Sequence, residues 1–452
     1  MTNKRFFSTI LLLFFAVGSV YSQNSIRHSV AYSGKNAIVR QMNNNVAIAY
    51  SQEENQGYFL YDNYGVEFRY ATMLPNCRVY DFEIYNDTVF FCGKYDNAGD
   101  VKGIFGFFDI NEVFFNSGYI SGIYCNYSIS APSLASYDLR PTIPWRMDVF
   151  SKGCTHIAAV GACYQKGILP DPIESTAVYD VYYDGSTWHC EAFSHKSYEY
   201  YTDIVATEHY IVAVAKDESY DKCYIRLFNK ISGFLSSPVS NQLIDVVDDT
   251  PIGKVIVDAL EVDTFAVSNF YFNSTEAGVG VKRFAVTSTS PYVSLVNSIH
   301  IPLNTLPSVS STWNLRDIRY NNNQRKLALL LDMDYPVHSI LKSTVLEIDN
   351  PYIIVASWTG ASTLYALDQW SNGFHSIGYE PVSSSHIMTL FRKSFGNNSH
   401  CSEIYTPVPY YENTSSVVLK TESPAGIVVE PEKYNFFHLP QTGKAHISID
   451  CE

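Results

Sequence analysis

Charged side chains are scarce in this sequence, at 17% of 452 residues, where globular domains carry about 25%. Basic residues are the rarer sign: 31 Lys and Arg stand against 45 Asp and Glu, for a net charge of −14. No Lys/Arg-rich run breaks that balance. A phosphate backbone is held by Lys and Arg with release of counterions, so nucleic acid is excluded as a partner. An anionic membrane surface is excluded on the same ground. No segment carries a long apolar pattern of period 3.6, so few helices are expected. No C-x-x-C pair occurs, which disfavours a zinc ribbon or a thioredoxin-like centre. H-E-x-x-H is absent, and with it the zincin helix. The nearest approach to a G-x-S-x-G elbow, Gly360-Ala361-Ser362-Thr363-Leu364, fails at its last position. Gly278-Val279-Gly280 is a lone G-x-G, not a P-loop or dinucleotide fingerprint. The sequence therefore assigns no catalytic residue, no metal ligand set and no cofactor.

Long apolar runs are confined to the start of the chain. Lys4 and Arg5 precede an apolar stretch, Phe6 to Val17, interrupted only by Ser8 and Thr9. Val20-Tyr21-Ser22 then presents a cleavage site before Gln23. Positive start, apolar core and cut site in that order are the signature of a secretory signal, here residues 1–22. The core is shorter than the ~20 residues that span a bilayer. No cysteine lies near the cut for lipid attachment. The expected destination is the periplasm, the cell surface by non-covalent association, or the medium, with no membrane insertion.

Nine cysteines follow: 77, 92, 125, 154, 163, 190, 223, 401 and 451. Export permits disulfides, and an odd count leaves at least one thiol unpaired within the chain. Cys154 with Cys163 and Cys401 with Cys451 are the favoured pairs. Cys92, in Val89-Phe90-Phe91-Cys92-Gly93, reads as a small buried apolar residue.

Aromatic residues are abundant, with 35 Tyr and 27 Phe, and they favour strands. One local pattern recurs: an Asp, a short alternating strand, a polar turn, and a second apolar strand that often ends in a small residue. Its copies start at Asp81, Asp148, Asp203, Asp258 and Asp317, separated by 67, 55, 55 and 59 residues. Two flanking copies, Ile38 to Tyr50 and Ser362 to Gly378, are read as lacking that Asp. Further strands are expected at 103–110, 222–229 and 278–287. Alternation marks a strand with one buried face, and Asn, Asp and Gly between strands supply the positive φ of tight hairpins. A hairpin is unstable alone, so copies repeated in this way bury their faces against one another.

In period and strand pattern the chain resembles the β-propeller superfamily over about residues 30–393, with seven copies. WD40, sialidase and kelch signatures are missing, so the resemblance implies a fold and not an activity. The implied architecture is all-β, a propeller of seven four-stranded antiparallel blades over 23–393. Residues 394–452 follow as a C-terminal β segment or a ring-closing strand.

The repeated aspartates either serve the repeat by accepting backbone N–H bonds or form a carboxylate ring that holds a cation or supplies glycosidase acids. Asp96, Asn97 and Asp100 form an oxygen-rich loop without EF-hand spacing. His189 and His195 are the closest histidine pair. Trp145, Trp188, Trp313 and Trp370 are candidates either for a sugar- or protein-binding platform or for filler between sheets. Sequons stand at Asn86, Asn126, Asn273, Asn397 and Asn413. The function expected is a secreted, non-enzymatic propeller that binds a protein or glycan through loops on one face. The alternatives are an extracellular carbohydrate-active hydrolase or lyase, and a structural surface or assembly protein.

Overall fold

The chain folds as an all-β propeller. The computed structural model describes the strands named below and the connections at 76, 86–87, 110–111, 153, 184–187, 207–209, 230–236, 260–263, 287–290, 292 and 322–325. After β1 (Ser25–Val30), four strands pair in order as an antiparallel unit: β2 (Lys35–Met42), β3 (Asn45–Glu53), β4 (Gln56–Asp62) and β5 (Phe68–Pro75). The second unit is β6 (Cys77–Tyr85), β7 (Thr88–Asn97), β8 (Asp100–Asp109) and β9 (Ile120–Cys125). The third is β10 (Asp138–Lys152), β11 (Cys154–Lys166), β12 (Ile173–Tyr183) and β13 (Trp188–Phe193). The fourth is β14 (Glu199–Ala206), β15 (Tyr210–Asp217), β16 (Lys222–Asn229) and β17 (Pro238–Ile244). The fifth is β18 (Thr250–Ala259), β19 (Thr264–Phe272), β20 (Ala277–Val286) and β21 (Val293–Pro302). The sixth is β22 (Trp313–Asn321), β23 (Lys326–Met333), β24 (Lys342–Asp349) and β25 (Ile353–Thr359). Then come β26 (Thr363–Trp370), β27 (Gly373–Val382) and β28 (Ser385–Ser394), whose fourth strand is β1, with Ser25 opposite Lys393. Among the described residues the strands thus form seven four-stranded units. Their first strands (β2, β6, β10, β14, β18, β22 and β26) touch in succession, and β26 returns to β2.

The closing strand comes from the N-terminal side, not from residues 394–452. Within that tail, β29 (Cys401–Ile404) pairs with β33 (Ser448–Cys451). β30 (Ser415–Glu422) pairs antiparallel with β31 (Val428–Val429) and with β32 (Lys433–His438). β32 joins the outer edge of β5, and β30 runs parallel to β9. The tail therefore links the outer edges of the first two units, and paired edges are closed to other chains.

Second strands are buried on both faces, which is why they read as continuous apolar runs rather than alternating ones. Ile211 to Ala215 on β15 have no solvent exposure. Aromatic rings fill the wedges between units. Phe59 of the first unit meets Phe82, Phe91 and Phe108 of the second, with centroids 5.0 to 5.5 Å away. Trp188 packs 5.3 Å from Phe107 in the same manner, as filler. The Asn86-Asp87 turn takes positive φ at both residues, 50° and 59°, as a two-residue hairpin of the right twist requires.

The expected Cys154–Cys163 bridge does not form. Both residues lie on β11, about 30 Å apart along an extended strand, where a disulfide needs Cα atoms within about 7 Å. Cys154 is a free thiol, and Cys92 is buried. Cys401 and Cys451 are Cα partners across β29 and β33.

Each first strand breaks register before its hairpin. Pairing resumes at Ile38, Asp81, Arg146, Asp203, Ile256, Asp317 and Ala366. A bulge bends the strand and re-aims the side chains after it. It also presses the first strand onto the second, which explains the small residues there. A Cβ on Gly93 would lie 2.0 Å from the Arg78 carbonyl oxygen, and one on Gly161 would lie 2.5 Å from Pro144 Cα. Gly93→Ala is expected to lower stability by about 1–3 kcal/mol through overpacking, read as a lower urea midpoint.

Candidate functional site

The aspartates occupy two levels of the central channel. Asp81, Asp203 and Asp317 stand where pairing resumes, whereas Asp148, Asp258 and Asp368 stand two residues further on. A two-residue step keeps a side chain on the same face and moves it ~7 Å along the strand. Each carboxylate then bridges two units. Asp81, Asp203 and Asp317 accept the N–H of the next residue in their own strand, from Phe82, Ile204 and Ile318. Their other oxygens accept from the neighbouring unit, from Met147, Val257 and Leu367 at 2.9 to 3.0 Å. On the second level, Asp148 accepts from Val149 and from Ala206 of the next unit, both at 2.7 Å. Asp258 accepts from Tyr320 at 2.5 Å, and Asp368 from Gln41.

The seventh copy was expected to lack the aspartate, yet Asp368 holds its place. The first copy does lack it. Arg40 takes that position, giving Nη2 to Asp81 at 2.7 Å and Nε to Glu83 at 2.8 Å. Two further arginines complete the belt. Arg146 stands on the first level, 3.9 Å from Asp81, and donates to the Arg316 carbonyl at 3.0 Å. Arg319 stands on the second, 3.7 Å from Glu83 and 3.8 Å from Asp258. Sequence reasoning missed Arg40, Arg146, Arg319, Glu83 and Asp368. The signal for Asp368 is its spacing, 51 residues past Asp317.

The belt divides the channel into two mouths. Toward the hairpins a cavity of about 390 Å³ is lined by Glu83, Asp148, Asp258, Arg319 and Asp368. Burial pushes the Asp258 carboxyl up to about 7, against the pull of Arg319 and the Tyr320 N–H. Burial also raises Asp148 and Asp368. Burial opposes ionisation of Asp317 too, but Arg319, Arg146 and Arg40 outweigh it and hold that carboxyl below its ordinary value. At the other mouth a cavity of about 570 Å³ is lined by Arg78, Tyr80, Trp145, Tyr200, Arg316 and Tyr365. Trp145 and Tyr200 stack with centroids 5.3 Å apart and planes 21° from parallel. The Arg78 guanidinium lies 5.2 Å from the Tyr80 ring centre and that of Arg316 5.8 Å from Tyr365. Tyr200 is 42% exposed, so the stacked pair faces solvent.

The other candidates are not drawn together. Asp96 pairs with Lys94 at 3.1 Å within the β7–β8 hairpin. His189 bonds Asp184 at 2.7 Å, while His195 lies outside the described residues. Trp370 lies 6.2 Å from His375, and the Trp313 side chain is outside the described set. Asn86 sits on an exposed turn, and the other four sequons are outside the described residues. Among the described residues no group of three His, Cys, Asp or Glu side chains is placed to hold a metal ion, and no helix is long and apolar enough to cross a membrane.

No protein-family profile matches the chain, and no curated protein matches it in sequence. Solved structures resemble it in chain path. The Nup133 β-propeller domain of Vanderwaltozyma polyspora is 7% identical with a TM-score of 0.42, covering 82% of this chain and 98% of its own. The polysaccharide lyase Uly1 is 8% identical with a TM-score of 0.37, covering 80% of this chain and 89% of its own. Prolyl oligopeptidase B from Galerina marginata is 7% identical with a TM-score of 0.35, covering 85% of this chain and 53% of its own.

Two outcomes are expected of the belt. Asp203→Asn keeps one acceptor where two N–H groups need one, and is expected to cost about 1–3 kcal/mol by leaving a buried donor unpaired, measured by denaturant unfolding. The raised Asp258 carboxyl keeps its proton in the fold but loses it near ~4 when unfolded. Stability from this group is therefore full below that value and lost as pH rises toward 7. Asp258→Asn is expected to flatten the fall in urea midpoint across that window.

Proposed function

We propose that the protein is an exported, non-enzymatic propeller that binds an acidic glycan at the mouth lined by Trp145, Tyr200, Arg78 and Arg316. The observation that carries this reading is the solvent-facing Trp145–Tyr200 stack beside two guanidinium groups in a cavity of about 570 Å³. A binding cavity usually encloses about 300–1,000 Å³, and this one is of that size. Flat ring faces attract the positively polarised C–H edges of a sugar, and guanidinium pairs with carboxylate or sulfate through two parallel bonds. The chain as a whole carries −14, so a local cationic, aromatic patch favours a specific anion over general attraction. Export rests on the segment 1–22 and would also permit a disulfide between Cys401 and Cys451.

Affinity electrophoresis through gels holding polygalacturonate or neutral dextran tests the reading. Retardation is expected in the polyuronate only. Trp145→Ala and Arg316→Ala are expected to weaken it at least about tenfold, which is about 1.4 kcal/mol. Equal migration in both gels overturns it. The carboxyls at the opposite mouth favour a hydrolase as the second reading, and release of new reducing ends, lost in Glu83→Gln, would replace the first reading with that one.

A further inference from the structure

Away from both mouths, Cys154, His156 and Asp180 form a line of hydrogen-bonded side chains on the third unit. Cys154 and His156 are two apart on β11 and share a face. His156 pairs in register with Tyr182 of β12, which brings Asp180 diagonally beside it. Cys154 Sγ lies 3.4 Å from His156 Nε2, and His156 Nδ1 lies 2.7 Å from Asp180 Oδ1. The imidazole and the carboxylate have no solvent exposure. The ring is clamped between Phe150 and Tyr182, with centroids 4.9 and 4.7 Å away, so it stays aimed at the sulfur. The thiol is half-buried, beside the exposed turn at Lys152 and Gly153. A purely structural His–Asp pair needs no thiol at its outer end. A nucleophile, a base and a group that orients the base need this order and this spacing.

We propose that Cys154 is a reactive thiol that exchanges with low-molecular-weight disulfides, with His156 as its base and Asp180 as the residue that positions that base. In the exchange Cys154 Sγ attacks one sulfur of the disulfide. A new S–S bond forms as the old one breaks, Cys154 is oxidised to a mixed disulfide, and the other half leaves as a thiolate. The Sγ proton passes to His156 Nε2 and from there to the departing thiolate, while Asp180 steadies the imidazolium through Nδ1–H. Half-burial, with the Asp180 and Asp184 carboxylates, pushes the thiol up from its ordinary value. It therefore rests protonated near neutrality, where a base is needed.

The test is reaction of the intact folded protein with dithiobisnitrobenzoate, following the released chromophore across pH. The rate in Cys154→Ser is subtracted, and mass spectrometry locates the adduct. At neutral pH, Asp180→Asn and His156→Gln are each expected to slow Cys154 by about tenfold or more, the scale of a lost general base. At the alkaline end of the profile, above the raised value of this thiol, it ionises without help, so all three proteins are expected to converge there. Equal neutral rates in Asp180→Asn and the native protein overturn the proposal. So does a deficit that persists at high pH, or a Cys154 that reacts at no pH.

Discussion

A carboxylate that accepts two backbone N–H groups, one from its own strand and one from the next unit, is the contact on which the ring depends. The bulge before it does the aiming, and at Asp317, which the arginines hold ionised, the charge makes both bonds stronger than a neutral acceptor would. Four of the seven junctions are closed in this way, by Asp81, Asp148, Asp203 and Asp317; Asp368 closes a fifth through Gln369 and Gln41, and Asp258 a sixth through Tyr320. The aspartates alternate between two levels around the channel. Strict alternation cannot close on an odd number of units, so one junction must differ. Alternation fails between the seventh and first units, where Asp368 and Arg40 both stand two residues past the resumed pairing, and at the next junction Arg40 reaches Asp81 and Glu83.

Much of this frame was legible in the sequence. Five aspartates at steps of 55 to 67 residues, each followed by a polar turn and an apolar run, mark the first hairpins of five units. The Asn86-Asp87 turn and the strand Lys222–Asn229 fall where turn chemistry and alternation place them. Asp368 escaped because the last copy is read as starting at Ser362, six residues before it. The two levels were not legible, since a bulge leaves no compositional mark and only the pairing register reveals it. The cationic mouth was hidden for a related reason. Arg78, Trp145, Tyr200 and Arg316 come from four units and meet only when the ring closes. Likewise Cys154-x-His156 reads as the start of an apolar strand until Asp180 arrives from the strand beside it.

The belt also keeps two opposite chemistries apart within one channel. On one side aromatic planes and guanidinium groups line a cavity at which Tyr200 is exposed. On the other, carboxyls crowd a smaller cavity, and burial works against their ionisation. Most of those carboxyls are already occupied by backbone donors, so residues that serve the repeat are poor candidates for chemistry. Residues that interrupt it, such as Glu83 and Trp145, are the better ones. On the proposed reading, binding and architecture are carried by different side chains on the same strands.

Completing the last unit with β1 sets a timetable for folding. Ser25–Val30 is made first, yet its partner Ser385–Ser394 is made some 360 residues later. Contacts so distant in sequence form slowly, because a long loop must close before any pairing repays it. Through synthesis the early strand stays an unpaired edge, open to capture by another chain. Until residues 385–394 emerge, the seventh unit lacks both β28 and the strand that β28 would hold, so it is the last unit of the ring that can be completed.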